Sequence, residues 1–238
     1  MLASLGPTAI RFGPVSPPNL YSNERRSKDA RPSSTAVGGH PIVLAAGKGG
    51  FVFAFDPSSG TLMWKTAVGI HNGHDRDDQL ALDGKLQLMT PYTLYPGEAG
   101  GVETNMAAAD GVVYVPVVDL PSSYASATER VGKATFGQGT GEMVAIDIAT
   151  GQQLWATKLA QIPLGGATVA SDLIFTTTLT GDVIALSRKD GSIVWTSHLP
   201  AGSNATLAIS GGTLLAGAGL PLNATQHAVV IAYQLGAS

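Results

Sequence analysis

The most polar run in the chain, His71-Asn72-Gly73-His74-Asp75-Arg76-Asp77-Asp78, sets two histidines three residues apart beside three carboxylates. Imidazole favours zinc-like ions and carboxylate oxygens favour calcium or manganese, which makes His71, His74 and Asp75 the candidate metal ligands. The spacing does not match a helix-borne His-Glu-x-x-His pair, and Gly73 among aspartates is ordinary turn chemistry. The leading reading of the run is therefore a solvated connection between structural units, with no metal. A second candidate is Lys48, flanked by Gly47 and Gly49-Gly50, where the glycines let a backbone approach an anionic ligand closely. Its simpler reading is a lysine on a β-turn.

Other chemistries find no support. The glycine pairs at Gly49-Gly50, Gly100-Gly101, Gly165-Gly166 and Gly211-Gly212 fit no phosphate-binding pattern, since none opens a helix after a strand. No Gly-x-Ser-x-Gly elbow occurs, so a hydrolase triad is unsupported. Zero cysteines remove disulfides, thiolate metal sites and a cysteine nucleophile. With 14 basic and 17 acidic residues and a net charge of -3, the chain lacks the basic footprint of a nucleic-acid binder. No run approaches the roughly 20 apolar residues of a membrane span, and the N-terminus lacks the basic start of a secretory signal. Asn204-Ala205-Thr206 and Asn223-Ala224-Thr225 match the glycosylation sequon, which means little without such a signal.

The elements that must hold these residues are strands. Thirty glycines, 14 prolines and 44% hydrophobic residues over 238 positions describe short strands and tight turns. Residues 1–40 show no helical or strand periodicity and mix basic with acidic positions, the texture of a disordered or non-native leader. From about residue 41 to 238 short apolar runs alternate with turn signals. Pro41 to Ala46, Phe51 to Asp56 and Leu62 to Val68 read as consecutive strands, and the arrangement recurs further along.

The recurrence is the strongest signal. Ala54, Gly60 and Trp64 align with Ala145, Gly151 and Trp155, and again with Ala185, Gly191 and Trp195. In each copy alanine precedes tryptophan by ten residues and glycine precedes it by four, and these are the only 3 tryptophans. The glycine suits the positive-φ position of a bulged hairpin, and the aspartate closing the strand accepts bonds from the turn. The indole offers a flat apolar face with an N–H at its edge, so the tryptophans are expected to dock successive units together. Ser187 replaces the aspartate in the third copy, so that turn should lack a capping bond. Trp155 and Trp195 are 40 residues apart, the length of a four-stranded propeller blade. The longer interval between Trp64 and Trp155 is read as one blade with two insertions, Ile70 to Gly97 and Ser122 to Gly139. A final unit stops before its fourth strand. The expected fold is all-β, an incomplete propeller of about three and a half four-stranded blades.

At these residues the chain resembles the PQQ (pyrroloquinoline quinone) propeller repeat of quinoprotein alcohol dehydrogenases and of outer-membrane assembly propellers. The segment Gly47 to Asp56 is similar to the dehydrogenase stretch in which a basic residue reaches the quinone. Gly100-Gly101 with Asn105 is similar to the opening of the next blade, and Leu164-Gly165-Gly166-Ala167-Thr168 to the stretch that carries Trp-Gly-Gly under the cofactor. The resemblance implies Lys48, Asn105, Gly165 and Gly166 as quinone contacts. It also implies calcium, though only in a complete propeller.

The departures weigh against catalysis. The catalytic aspartate, calcium ligands and cysteine pair of the dehydrogenases lie in blades with no counterpart here, and Leu164 replaces an aromatic platform. No catalytic residue is assigned. The chain looks like the C-terminal half of a quinoprotein-type propeller, a truncated gene product or a half-ring that a homo-oligomer or a second chain completes. The alternative is a non-enzymatic scaffold for protein–protein interaction, similar to the assembly propellers. Family members are usually periplasmic or extracellular.

Overall fold

A computed structural model of the chain describes residues 6–10, 35–37, 40–85, 91–126, 129–132 and 136–234. The first strand, β1 (Gly6–Ile10), belongs with the last sheet and is taken up there. Blade I comprises β2 (Thr35–Val37), β3 (His40–Gly47), β4 (Phe51–Phe55) and β5 (Leu62–Ala67), antiparallel throughout. The connection that follows is more than loop: it holds a short helix, α1 (Asp77–Leu82), and β6 (Tyr92–Leu94). Blade II comprises β7 (Ala107–Ala109) and β8 (Val112–Asp119), then β11 (Thr140–Asp147) and β12 (Gln153–Leu159). Between β8 and β11 the chain detours through β9 (Ser122–Tyr124) and β10 (Arg130–Val131). Strands β10, β9 and β6 pair into a three-stranded side sheet, so the two insertions in the long interval fold together.

Blade III is β13 (Thr168–Ala170), β14 (Leu173–Thr177), β15 (Asp182–Ser187) and β16 (Ile193–His198). Blade IV has three strands from the C-terminal part, β17 (Ala208–Ser210), β18 (Thr213–Ala218) and β19 (Val229–Gln234). Its fourth comes from the other end of the chain: β1 pairs antiparallel with β19, from Gly6↔Gln234 to Ile10↔Val230. Within residues 1–40, read above as a leader, β1 and β2 are thus strands of blades IV and I; the remainder of that stretch lies outside the described residues.

The hydrophobic core lies between blades, because period-2 alternation sends neighbouring residues of one strand to opposite faces. From β8, Val113, Val115 and Val117 join β4 residues Val52 and Ala54 and β3 residue Ile42 in the layer between blades I and II. Tyr114 on the same strand points the other way, meeting Ile174, Ile184 and Leu186 of blade III. Blade III repeats the division, with Phe175, Val183 and Ala185 packed on Leu214, Ala216, Ile231 and Tyr233 of blade IV.

The repeat residues sit at equivalent places. Ala54, Ala145 and Ala185 pair with Trp64, Trp155 and Trp195 across the two outer strands of their own blade, and a bulge follows each pair. Gly60, Gly151 and Gly191 turn the connecting hairpins at φ 70, 73 and 73°. Asp56 Oδ1 accepts from Ser58 N at 2.7 Å and Ser59 N at 3.0 Å, and Asp147 Oδ1 accepts from Thr150 N at 2.8 Å. In the third copy, where the sequence predicts no capping bond, Ser187 Oγ accepts one from Lys189 N at 3.3 Å, longer than those to the aspartates, and Asp190 Oδ1 accepts from Ser192 N at 3.0 Å.

Candidate functional site

Two kinds of site follow from this frame: rows of contacts between blades, and a corner where the inter-blade connections converge. In the first row Trp64 Nε1 donates to Ile148 O at 2.9 Å and Thr66 Oγ1 to Gly151 O at 2.6 Å. One blade on, Trp155 Nε1 donates to Arg188 O at 3.2 Å and Thr157 Oγ1 to Gly191 O at 2.7 Å. The glycines therefore serve twice. Besides the left-handed turn, each lacks the Cβ that would stand 2.7 Å from Trp64 Cγ at Gly151 and 2.5 Å from Trp155 Cε3 at Gly191. At Gly60 nothing among the described residues lies within 4 Å. Trp195 meets Tyr233 edge-on at 5.3 Å between ring centroids, and Ser197 Oγ donates to Tyr233 OH at 3.1 Å.

A residue missed by the sequence reading, Arg188, crosses the boundary between blades II and III. Its Nε donates to Tyr114 OH at 3.0 Å, Nη1 to Ser171 O at 2.7 Å and Nη2 to Asp110 Oδ2 at 2.7 Å. Asp110 and Ser171 both occupy hairpin turns at positive φ, 49 and 54°, so one guanidinium ties two turns together. The Tyr114 hydroxyl first and Asp110 second hold its pKa above the ordinary value. The visible signal was a basic residue where the other copies carry Pro57 and Ile148.

At the corner, Lys48 stands on the β3–β4 turn. Gly101, at φ 81°, lets its backbone close on that turn: a Cβ there would come 2.3 Å from Lys48 O. Lys48 Nζ donates to Glu98 O at 3.1 Å and lies 3.4 Å from Glu103 Oε1. The latter is an ion pair without hydrogen-bond alignment, since Glu103 Oε1 is buried and accepts no bond. Asn105 and Gly166 are neighbours: Asn105 O accepts from Ala167 N at 2.9 Å, and a Cβ on Gly166 would lie 3.2 Å from that oxygen. Gly165 is tightly enclosed, its imagined Cβ falling 1.9 Å from Thr177 Oγ1. Of the four expected quinone contacts, Asn105, Gly165 and Gly166 thus gather at the start of blade III, while Lys48 is engaged by Glu98 and Glu103.

The histidines turn to separate partners. His71 Nδ1 bonds Asp75 Oδ1 at 2.6 Å, and its Nε2 faces Gly50 O at 3.0 Å and Val68 O at 3.2 Å. His74 Nδ1 bonds Asp77 Oδ2 at 2.8 Å. Among the described residues no three His, Asp or Glu side chains converge to hold a metal ion. Sequence reasoning also missed a buried acidic pair at the end of β8. Asp119 Oδ1 accepts from Ile70 N at 3.0 Å, and Lys158 contacts Glu142 and stands 3.8 Å from Asp119 Oδ2. Burial first, then the Glu142 charge, raises the Asp119 pKa against the pull of the Ile70 bond and of Lys158.

Known proteins share this frame. The family model described as outer membrane protein assembly factor BamB matches residues 21–161 and 139–234. The outer membrane protein assembly factor BamB of Xanthomonas campestris pv. campestris is 30% identical over 110 residues, 42% of this chain and 22% of that protein. Quinohemoprotein alcohol dehydrogenase ADHIIG from Pseudomonas putida HK5 superposes with a TM-score of 0.64 at 20% identity, over 85% of this chain and 38% of that one. The quinohemoprotein alcohol dehydrogenase of Comamonas testosteroni gives 0.61 at 16% identity, over 84% and 36%. The chain thus spans well under half the length of these relatives, and at such identities the two structures establish the fold alone. The match to the family model covers most of the chain, which therefore belongs to the PQQ-repeat propeller family described as outer membrane protein assembly factor BamB.

Proposed function

We propose that the chain is a non-enzymatic propeller scaffold that binds protein through its open blade faces, on a frame resembling the C-terminal half of a quinoprotein dehydrogenase. The observation that carries this reading is the pairing of Lys48. The cation that the resemblance offers to the carboxylates of the quinone is 3.4 Å from Glu103, a carboxylate only 22% exposed. An anionic quinone entering there meets that like charge, which weighs against quinone binding at Lys48.

A partner is supported by the outer face of blade I. Phe51, Phe53 and Phe55 alternate along β4, with successive ring centroids 6.2 and 6.1 Å apart. This half-buried aromatic ladder lies beside Gly60, whose equivalents in blades II and III are each covered by a tryptophan. Another blade, from a second copy or a second chain, would cover such a face and complete more of the ring. The propeller unit is taken as residues 41–238, with β1 and β2 contributed from the leader. The name of its relative, an outer membrane protein assembly factor, supports a location facing the outer membrane. Among the described residues no helix is long and apolar enough to cross a membrane.

Quinone binding is the second reading, resting on the resemblance and on the closeness of Asn105 and Gly166. Titration with PQQ and calcium against intrinsic tryptophan fluorescence separates the two. The scaffold reading expects no saturable quenching. Saturable quenching that Lys48→Met abolishes would overturn it in favour of the quinone.

A further inference from the structure

The connection between blades I and II and the side sheet enclose a cleft of about 370 Å³ that neither reading uses. Its walls are aromatic: Phe51 from β4, Tyr92 from β6, Tyr95 just beyond it and Tyr124 from β9. Tyr92 and Tyr124 are directly paired across β6 and β9, their rings stacked 5.2 Å apart at 14°. Asp75 and Asp77 close the cleft on one side, bonded to His71 and His74 and with side chains 31% and 24% exposed, and the His74 ring lies 5.2 Å from that of Tyr92. Lys65 Nζ already stands 3.6 Å over the Phe51 ring, so the chain itself places a cation on this aromatic cluster.

Aromatic faces carry negative quadrupoles that attract cations, most strongly when the cation is weakly hydrated, and nearby carboxylates add to the field. We infer that this cleft binds a methylated quaternary ammonium group, with Tyr92 and Tyr124 as the aromatic wall and Asp77 as the counter-charge. The geometry has the required elements: a cavity large enough for a trimethylammonium head, stacked tyrosines, and carboxylates in its lining. The same groups act on Tyr92, whose hydroxyl is held above its ordinary pKa by burial, by Tyr124 and by the Asp77 charge. The inference stands apart from the scaffold and quinone readings, since none of their residues lines the cleft other than Phe51.

The test compares choline with its neutral isostere 3,3-dimethylbutan-1-ol, titrated into the full chain and followed by calorimetry and by the proton resonance of the methyl groups. The expected result is saturable choline binding with an upfield ring-current shift, and binding of the neutral isostere weaker by about tenfold. Tyr124→Leu should weaken choline by about fivefold, and Asp77→Asn should weaken it by about threefold, the second change keeping the bulk of the side chain. A thermal melt of each variant separates lost binding from lost fold. Equal affinity for choline and the isostere, no saturable binding of choline to the wild-type chain, or binding unaffected by both substitutions in folded protein would each overturn the assignment.

Discussion

Two alanine substitutions measure what an indole contributes to the joint between blades. Gly60 and Gly151 have nearly the same backbone, φ 70 and 73°, on equivalent hairpins. Alanine at either position suffers the left-handed strain, about 1 kcal/mol. At Gly60 that is the whole cost, because nothing among the described residues lies within 4 Å of the new Cβ. At Gly151 the Cβ would stand 2.7 Å from both Cγ and Cδ2 of Trp64, so the indole must move. That movement breaks the 2.9 Å bond from Nε1 to Ile148 O, worth about 1 kcal/mol, and uncovers part of the ring, about 1–2 kcal/mol more. Gly151→Ala should therefore destabilise by about 3–4 kcal/mol and Gly60→Ala by about 1 kcal/mol. Urea denaturation followed by tryptophan emission reads both, with a red shift at low denaturant expected only for Gly151→Ala. If the two variants lie within about 0.5 kcal/mol of one another, the indole contact carries no stability and the reasoning fails.

Arg188→Lys should cost about 2 kcal/mol despite keeping the charge, because an ammonium cannot reach Tyr114, Ser171 and Asp110 together; urea midpoints at low and high salt check it. Asp119 gives a pH dependence. Its folded pKa is raised above 3.8, so the folded state holds the proton more tightly, and stability falls as pH rises through the window above 3.8. Asp119→Asn should raise the urea midpoint at pH 7 and lose that advantage below the unfolded pKa, where the aspartate is neutral in both states. An unchanged or lower midpoint at pH 7 would contradict the sign.

The blades were legible because their signal is repeated and local: an alanine, a turn glycine and a tryptophan at constant spacing, on strands with period-2 alternation. The short inner strands were not. Each of β2, β7 and β13 is 3 residues long, and their pairing partners, rather than their own side chains, decide that they are strands. The side sheet was read as two loops because β6 and β9 are joined only through space. At the corner, Lys48 and the glycine pairs could be picked out from their types, yet Glu103 carries no local mark of its pairing with Lys48. Gly165 shows the converse: the resemblance gave it to a cofactor, and the fold requires it for the close approach of Thr177.

The pairing of β1 with β19 joins residues from opposite ends of the chain. Such a contact closes the whole stretch between Ile10 and Val230 into a loop, and long-range strand pairing is slow. During synthesis β1 precedes β19 and gains that partner only once β19 leaves the ribosome. Blades I to III can assemble in sequence, while β1 waits as an unpaired edge for blade IV. A strand made late thus receives one made long before it, and the interval between those events is when the nascent chain is most open to mispairing with a neighbour.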